Sequence, residues 1–302
     1  MNEQLMSLSK IFTDRLFRIP DYQRGYAWTE KEVTDFWNDL CRLGEGSNHY
    51  VGVLTLESVI PESYAKWIDD LWLINSKNYS PYYVVDGQQR LTTSILLLTT
   101  IVDVMIKKNI PSLLYTSRCD IIKRFISESK AENCDNSYLF CYETENPSYY
   151  YLIHNVYRND ESKVTDSKET TYTLNLGNAR NFFEEKLCQL DVDELEKVYA
   201  KITQRFLFNT YEISKEIDVF VTFETMNNRG RPLSQLELLK NRLIYISTLF
   251  GVDEGIRSRL RRDINACWKE IYHQLGINRR QQLPDDVFLL NFRTSQKQQI
   301  NR

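Results

Sequence analysis

The stretch of sequence best suited to chemistry runs from Tyr82 to Thr93, where a short apolar segment passes through Asp86 and Gly87 into a long apolar run. We expect a strand followed by a helix, with the glycine at the helix start. Unpaired amides at a helix start point outward, and the helix dipole favours negative charge there. Gly87 lets a phosphate approach the backbone, and Arg90 in the first turn can clamp it. The junction is therefore a candidate anion site.

Asp86 carries the wrong charge for an anion site. Its reference pKa is about 3.9, so the ionised carboxylate repels a phosphate unless a cation lies between them. It indicates either Mg²⁺ or a purely local role. In the local alternative Asp86 caps the helix, Arg90 pairs with it one turn on, and Gln88 and Gln89 satisfy buried backbone groups. Since the Walker loop and the Gly-x-Gly-x-x-Gly pattern are both absent from the sequence, a nucleotide site here is of another kind.

A second cluster, Ile19–Trp28, combines a proline-fixed backbone with aromatic rings, Gln23 and Arg24. Tyr22 and Tyr26 can stack on a base, and the amide and guanidinium groups can hold a phosphate. In the alternative, the proline begins a turn and the aromatic residues belong to the core. Gln23 and Arg24 are harder to explain by packing.

A third cluster, Phe223–Ser234, ends one expected helix and begins another. Asn227 and Arg229 would project from the turn between them, and Gly230 suits a left-handed helix end. Taken alone, this cluster is most simply a corner between two helices in which Asn227 caps and Gly230 turns.

The first half of the chain supplies the elements that must position these residues. Arg15–Ile19, Tyr50–Val59 and Tyr82–Val85 are aromatic and β-branched enough for strands. A capping box formed by Thr29 and Glu32 begins a helix between the first two strands. The run Leu91–Ile106 is too short and too often interrupted for a membrane span, and we interpret it as a buried core helix.

The second half of the chain is mostly helical in pattern, after a polar run at Asn155–Thr173 that separates two subregions. The expected elements are helices at Asn178–Leu190 and Val192–Phe206, a strand at Arg205–Ile213, a helix at Ile217–Met226, and a helix that begins at the capping box of Ser234 and Glu237. The fold class is therefore mixed α/β (α+β), with a small sheet followed by a mainly helical C-terminal part, and not a doubly wound repeat.

Charge is distributed unevenly along the chain. Residues 225–302 hold 14 Lys and Arg against 7 Asp and Glu, whereas the whole chain has a net charge of −3. The acidic remainder argues against a protein that coats nucleic acid along its whole surface. The densest basic piece consists of Arg257, Arg259, Arg261 and Arg262, which would either follow a nucleic-acid backbone or form a solvated helix face.

The sequence also bears on compartment and metals. The first twenty residues carry no secretory signal pattern, and we expect a cytoplasmic protein with no membrane contact. Six scattered cysteines without a Cys-x-x-Cys pair predict free thiols, and the three histidines are too far apart for zinc.

Together the three clusters resemble the family of GmrSD-type restriction endonuclease N-terminal domains, which has a ParB/sulfiredoxin-like fold. The resemblance rests on three motifs in the family's order, covers about residues 5–250, and ends with Lys240-Asn241. These motifs are Ile-Pro-x-Tyr-Gln-Arg at 19–24, Asp-Gly-Gln-Gln-Arg at 86–90, and Phe-Glu-x-x-Asn-x-x-Gly-x-x-Leu at 223–233.

The resemblance implies binding and hydrolysis of a nucleoside triphosphate with Mg²⁺, in the sensor domain of a modification-dependent restriction system. It assigns catalysis to Asp86, Gln89 and Arg90, with Asp86 also as the metal ligand. The nucleotide would be held by Gln23, Arg24, Gly87, Gln88, Thr92, Asn227, Arg229, Gly230 and Lys240. Contacts to modified double-stranded DNA are expected from Tyr22, Tyr26, Arg257, Arg259, Arg261 and Arg262.

The same resemblance implies a domain division and a partner. Residues 1–250 would form the nucleotide-binding sensor domain, with a polar insertion near 155–173, and residues 251–302 a basic helical extension. Family members commonly continue into an HNH nuclease with a histidine-containing metal motif, and no histidine follows His273. We therefore expect this chain to need a separate nuclease domain or subunit, and homo-oligomerisation stays open.

Two other functions remain open at this level. One is a module that binds modified DNA and controls a nuclease without hydrolysing a nucleotide. The other is a degenerate relative that serves only as an assembly surface for a nuclease or toxin. The intact Asp-Gly-Gln-Gln-Arg run argues against decay, but a motif becomes a site only in the right structural context.

Overall fold

The computed structural model describes residues 4–20, 23–130, 136–144, 146, 148–157, 170–213, 234–251, 253–277 and 283–300. Within them the strands are β1 (Gln4–Ser7), β2 (Arg15–Ile19), β3 (His49–Ser58), β4 (Ser80–Asp86), β5 (Ser112–Leu113), β6 (Thr116–Ser117), β7 (Ser127–Ser129), β8 (Asn136–Tyr138), β9 (Phe140–Tyr142) and β10 (Phe206–Ile213). The helices are α1 (Leu8–Ile11), α2 (Glu30–Arg42), α3 (Pro61–Tyr64), α4 (Leu71–Lys77), α5 (Gln88–Lys107), α6 (Arg118–Phe125), α7 (Tyr149–Tyr151), α8 (Thr171–Gln189), α9 (Val192–Ala200), α10 (Gln235–Leu249), α11 (Glu254–Ile277) and α12 (Asp285–Ile300). Two π-helical turns, Leu152–Val156 and Lys201–Arg205, continue α7 and α9.

Six strands form one mixed sheet in the order β1-β10-β3-β4-β2-β9. Strands β4, β2 and β9 run parallel to one another, and β3 lies antiparallel to β4. The carboxyl ends of β4, β2 and β9 therefore lie at the same end of the sheet, where Asp86 of β4 pairs with Thr55 of β3. Loops that follow parallel strands at such an edge are the usual position of ligand sites in α/β sheets.

Helix α5 forms the centre of the core. Nearly all of its residues are buried, and α8 packs along it. By length and apolar composition α5 is long enough to cross a membrane, but 83% of the relevant window is buried inside the fold, as in the core helix of a soluble protein. Its threonines and serine are tolerated there because each hydroxyl donates to the carbonyl four residues earlier, as for Thr99 to Ile95 and Thr100 to Leu96. The expected buried core helix is confirmed.

The mixed α/β class and several expected elements are also confirmed. The strands at Arg15–Ile19, His49–Ser58, Ser80–Asp86 and Phe206–Ile213 match the expectations closely. The capping box of Thr29 and Glu32 begins α2, and that of Ser234 and Glu237 begins α10.

Three boundaries differ from the expectations. Helix α8 begins at Thr171, inside the expected polar loop, because Thr170 and Thr173 form a capping box. Helix α9 changes to a π-helical turn after Ala200, and the strand begins at Phe206. The expected helix at Ile217–Met226 lies outside the described residues, as does 158–169 of the polar run.

The C-terminal helices have a small core of their own. Helices α10, α11 and α12 pack around Leu236, Trp268, Tyr272 and Leu275, and the Trp268 indole donates to the Leu236 carbonyl at 3.3 Å. Helix α10, which precedes the domain boundary expected between residues 250 and 251, thus packs with the two helices that follow it, and the domain division stays a prediction. Gly276 joins the unit to the rest of the fold, since a Cβ there would lie 2.6 Å from the Tyr172 ring.

Candidate active site

The start of α5 is a glycine-led helix end that no described side chain caps. Gly87 is the N-cap residue and has φ +84°. A Cβ at this position would lie 2.7 Å from the Val53 carbonyl oxygen. Close packing against β3 therefore already requires a glycine, so access for a phosphate is not needed to explain it. The first-turn amides of α5 remain without acceptors from the helix itself, which leaves a local positive potential.

Asp86 immediately precedes this helix start without capping it. The Gly87 amide donates to its carboxylate, and Arg90 Nη2 lies 3.7 Å from Oδ2. Burial raises the pKa of Asp86, against the opposing effects of Arg90 and the Gly87 amide. The pair with Arg90 is thus present, as the local alternative expects, but the carboxylate sits where its charged form is disfavoured.

Arg90 lies along a bulge in β3. Tyr50 pairs with Leu207 and Gly52 with Phe208, so Val51 is an extra residue. The Arg90 guanidinium donates to the carbonyls of Val51 at 3.4 Å and Val53 at 3.2 Å. Both distances are long for hydrogen bonds to a charged donor, which normally measure about 2.7–2.9 Å.

Gly52 makes the room for Arg90. Its φ is +139°, and a Cβ there would lie 2.0 Å from Arg90 Nη1. A side chain at this position would therefore both strain the backbone and displace the guanidinium. The bulge and the glycine together fix the direction from which Arg90 reaches the helix start.

The two glutamines after Gly87 differ in what they do. Gln89 accepts from the Ala27 amide at 2.8 Å and donates to the Gly25 carbonyl at 3.1 Å. It therefore fastens the turn at 25–27 to α5, and the catalytic role expected for it stays a prediction. Gln88 Oε1, in contrast, is buried with no hydrogen-bond partner in the described structure. A buried polar atom left unpaired costs about 1–3 kcal/mol, which is a reason to look for a ligand or a water there.

Gln23 and Arg24 both reach this region. The Gln23 amide donates to the carbonyls of Val84 at 3.1 Å and Val85 at 2.9 Å, where β4 has a bulge against β3. Arg24 Nε lies 3.3 Å from Glu237 Oε1, and its Nη1 lies 3.9 Å from Asp285 Oδ2. Arg24 is therefore near the site but already paired with acidic residues of the C-terminal helices.

Tyr26 and Thr92 are structural. Tyr26 is fully buried, and its hydroxyl lies 2.7 Å from Thr93 Oγ1. The DNA contact expected from Tyr26 is corrected, because a base cannot reach a ring with no exposed surface. Thr92 is fully buried as well and donates to the Gln88 carbonyl at 2.7 Å, so it supports the first turn of α5 from within.

Several expected site residues cannot be placed. Tyr22, Asn227, Arg229 and Gly230 lie outside the described residues. Lys240 is on α10 and is buried.

Among the residues that the structure describes, no group of three or more His, Cys, Asp or Glu side chains could hold a metal ion. Asp86 is thus not part of a preformed cluster of that size among the described residues, although Glu237 lies close enough to add to the rise in its pKa.

The four arginines of α11 do not form one stripe. Arg259 and Arg262 are exposed, whereas Arg257 and Arg261 are half-buried. Arg261 lies close enough to Glu57 on β3 to lower the pKa of that carboxyl, which burial raises. Arg261 therefore faces the sheet domain, and Arg259 and Arg262 are the most solvent-exposed of the four arginines.

Sequence reasoning missed the acidic partners of Arg24 and the role of Gly52. Glu237 was assigned to a capping box, which it does form, and no local pattern links residue 24 with residue 285. Gly52 interrupts an otherwise β-branched and aromatic run, and an isolated glycine in a strand is a signal for a bulge or close approach. That signal was present but was not used.

These features define a mixed α/β domain with an uncapped, glycine-led helix start at the edge where its parallel strands end. The model of one family, the N-terminal domain of the GmrSD restriction endonuclease, matches residues 4–244. The chain belongs to this family and is a component of a restriction and defence system. No curated protein matches the chain.

Proposed function

We propose that this chain binds a nucleoside triphosphate at the start of α5 and hydrolyses it with Mg²⁺, as the sensor part of a modification-dependent restriction system. The observation that carries the proposal is the helix start itself: it is uncapped, Arg90 stands in its first turn, and Gln88 Oε1 is buried without a partner. A bound triphosphate meets the free amides of the helix start, since such ends favour anions.

Each residue then has a distinct role. Arg90, with Arg24, neutralises the charge that develops on the transferring phosphoryl group. Gln88 Oε1 is an acceptor, so its natural partner is the attacking water, which it holds and orients. Gln89 keeps the turn at 25–27 against α5, and Gln23 supports the end of β4.

Asp86 fits a magnesium ligand. It supplies a hard carboxylate oxygen in a site where burial disfavours the bare charge, and a nearby cation removes that penalty. Mg²⁺ is usually held by one or two carboxylates together with phosphate oxygens, which suits a site with few carboxylates. When bound, Mg²⁺ neutralises charge on the phosphates.

The most direct enzymatic test is phosphate release from ATP, GTP, CTP and UTP with Mg²⁺. Arg90→Ala should abolish release, while its unfolding temperature falls by no more than about 2–4 °C because the bonds it loses are long and worth roughly 1 kcal/mol. The matched control is Arg42→Ala, an exposed arginine at the end of α2, which should release phosphate at the wild-type rate.

Two results would contradict the proposal. If Arg90→Ala unfolded the protein, Arg90 would be a structural residue and the local alternative would hold. If the wild type released no phosphate from any of the four nucleotides, with and without DNA, hydrolysis would be excluded for this chain.

A second candidate function, a module that holds modified double-stranded DNA for a partner nuclease, is favoured by the exposure of Arg259 and Arg262. Both functions are compatible in one chain, since they use different residues. We further propose that the chain works in the cytoplasm with a nuclease domain or subunit.

A further inference from the structure

A cavity of about 510 Å³ lies at the edge of the sheet that ends with β9. Its walls come from the segment 66–70, from β8 and β9, and from Glu143, Thr144, Tyr149 and Ile153, with Arg18 of β2 at the bottom. The volume falls within the range of about 300–1,000 Å³ that small-molecule sites occupy. The motifs of the sequence do not account for this cavity.

The base of the cavity is a buried ion pair between Arg18 and Asp70. Arg18 also donates to the Phe17 carbonyl at 2.8 Å and the Tyr138 carbonyl at 3.0 Å, and its guanidinium lies 5.4 Å from the centre of the Trp67 ring. A buried ion pair is costly to desolvate and contributes little net stability unless its groups are fully bonded. The charge of Arg18, at the bottom of the cavity, is thus neutralised by Asp70, and its side chain is held in place by its hydrogen bonds.

Glu143 provides a carboxylate on the cavity wall. It is 9% exposed, accepts from the Tyr83 hydroxyl at 2.8 Å, and pairs with Lys66 at 3.0 Å. The Lys66 side chain is 60% exposed, so this partner comes from the solvent side. Both donors engage Oε1, so a ligand with an N–H donor would take the place of Lys66 on that oxygen, beside the bond from Tyr83.

Aromatic rings form the other walls. Trp67 is already in contact with Arg18, and Tyr138 is stacked on Tyr157 with ring centres 4.6 Å apart. Because these two rings already contact Arg18 and Tyr157, the cavity does not offer the several unoccupied aromatic faces that surround a quaternary ammonium group in an aromatic cage. A flat ring needs one face, and Tyr149 is half-exposed at the wall.

The cavity is built for binding and not for covalent chemistry. Burial raises the pKa of the Cys141 thiol to about 12, so the thiol is protonated at neutral pH and is a poor nucleophile. The titratable groups in the walls are three carboxyls, Asp69, Asp70 and Glu143, against the two cations Arg18 and Lys66. This net negative balance disfavours a phosphate and favours a neutral ligand that donates hydrogen bonds.

We propose that this cavity binds a nucleobase that carries an exocyclic amino group, stacked on the aromatic wall and donating to Glu143. The ring can come from a free nucleoside or from a base that has left the stack of a nucleic acid, since enzymes read such bases by stacking and edge hydrogen bonds. The inference does not rest on triphosphate hydrolysis at α5.

The test uses ligand pairs that differ only in the amino group: adenosine against purine riboside, and cytidine against 2-pyrimidinone riboside. Equilibrium binding to the full chain should favour the amino-bearing member about tenfold, the value of a hydrogen bond to a charged group. In Glu143→Gln this preference should disappear. The matched control is Glu128→Gln, which removes another lysine–glutamate pair, with Lys77, outside the cavity.

Further variants and ligands separate the alternatives. Tyr149→Ala should weaken binding, whereas Tyr115→Ala, at a fully exposed tyrosine outside the cavity, should not. Arg90→Ala should bind the nucleosides normally, since the cavity is separate from the start of α5. If a single-stranded oligonucleotide binds more tightly than nucleosides, and Glu143→Gln removes that tighter binding, the base comes from nucleic acid. If nucleosides bind and the oligonucleotide does not bind more tightly, the ligand is a free nucleoside.

The proposal is overturned if neither nucleosides nor oligonucleotide bind at millimolar concentration. It is equally overturned if the amino group makes no difference, if Glu143→Gln keeps the preference while remaining folded by its unfolding temperature, or if nucleoside binding is lost in Arg90→Ala.

Discussion

Asp86 is held in a position where burial raises its pKa above the ordinary value of 3.8, even with Arg90 3.7 Å away. A raised carboxyl pKa means that the folded state prefers the protonated form. The stability contributed by this group is therefore present at acid pH and is lost as the pH rises through the folded pKa. Such a carboxylate is retained at a cost to stability, which is typical of a functional site.

Asp86→Asn should consequently unfold at a higher urea concentration than the wild type near neutral pH. The difference in the free energy of unfolding should shrink as the pH falls from about 8 towards about 4, where the wild-type carboxyl becomes neutral. Urea titrations across that range measure it. The same variant should lose Mg²⁺-dependent phosphate release. A variant less stable than the wild type at neutral pH would show that Asp86 has the local structural role instead.

At the scale of single residues, the sequence predicted which residues lie at the site better than it predicted the hydrogen bonds that each of them makes. Asp86, the last residue of β4, and Arg90, in the first turn of α5, pair as the local alternative predicts. The sequence could not tell Gln88 from Gln89, because their roles depend on which one faces the turn at 25–27. Tyr26 was assigned to DNA because an aromatic residue beside Arg24 suits stacking, whereas its burial is decided by α5 and Thr93.

The bulge in β3 is the element that positions Arg90, and Gly52 is its critical residue. Gly52→Ala places a Cβ 2.0 Å from Arg90 Nη1 on a backbone with φ +139°. We expect a loss of about 1–3 kcal/mol in the free energy of unfolding, together with loss of phosphate release because the guanidinium is displaced.

The matched control is Gly46→Ala. Gly46 also has a positive φ, +79°, but no atom lies within 4 Å of the added Cβ. This variant should be destabilised by strain alone, about 1 kcal/mol, and should release phosphate normally. Equal activity in both alanine variants would contradict the role given to the bulge.

At the scale of elements, the sequence predicted the helix starts and the core helix that depend on residues close together in the chain. The capping boxes at Thr29 and Ser234 and the apolar run of α5 were predicted because each involves residues a few positions apart. The bulges of β3 and β4 were not, since a bulge is defined by the register with a neighbouring strand. The π-helical turn after α9 likewise has no local sequence signal that we used.

The whole molecule connects the site to the C-terminal helices through Arg24. This residue is paired with Glu237 of α10 and Asp285 of α12, all three side chains being less than 20% exposed. A triphosphate is strongly negative, so it must compete with these two carboxylates for Arg24. Burial raises the pKa of Asp285, with Arg24 opposing the shift.

Glu237→Gln and Asp285→Asn should therefore each tighten triphosphate binding by about fivefold, equivalent to roughly 1 kcal/mol for an ion pair of this exposure. Calorimetric titration with a non-hydrolysable triphosphate measures the affinity. Glu184→Gln, which breaks an ion pair with Lys107 instead, should leave it unchanged. Unchanged or weaker affinity in the first two variants would exclude Arg24 from the triphosphate site.

The split of the α11 arginines gives a prediction for DNA. Replacing Arg259 and Arg262 by Gln should reduce the slope of log affinity against log salt by about 1.8, as expected for two lost phosphate contacts. The slope can be measured by fluorescence anisotropy with labelled duplex. Arg42→Gln should not change it, and an unchanged slope in the double variant would remove the outer arginines from the DNA surface.

At the scale of the whole molecule the sequence was least informative. The fold class followed from the order of elements, and the family from three motifs that match residues 4–244. The pairing of Arg24 with Asp285 and the cavity beside Glu143 join residues far apart in the chain. Such contacts arise from tertiary packing, which composition and periodicity do not encode.

The measurement that tests the central claim most directly is hydrogen–deuterium exchange of the segment 84–93, with and without a non-hydrolysable triphosphate and Mg²⁺. The first amides of a helix have no intrahelical acceptor and exchange rapidly unless something else binds them. We expect the triphosphate to protect the amides of this segment in the wild type and not in Arg90→Ala. Protection that appeared elsewhere while 84–93 exchanged as before would contradict the assignment of the nucleotide to the start of α5.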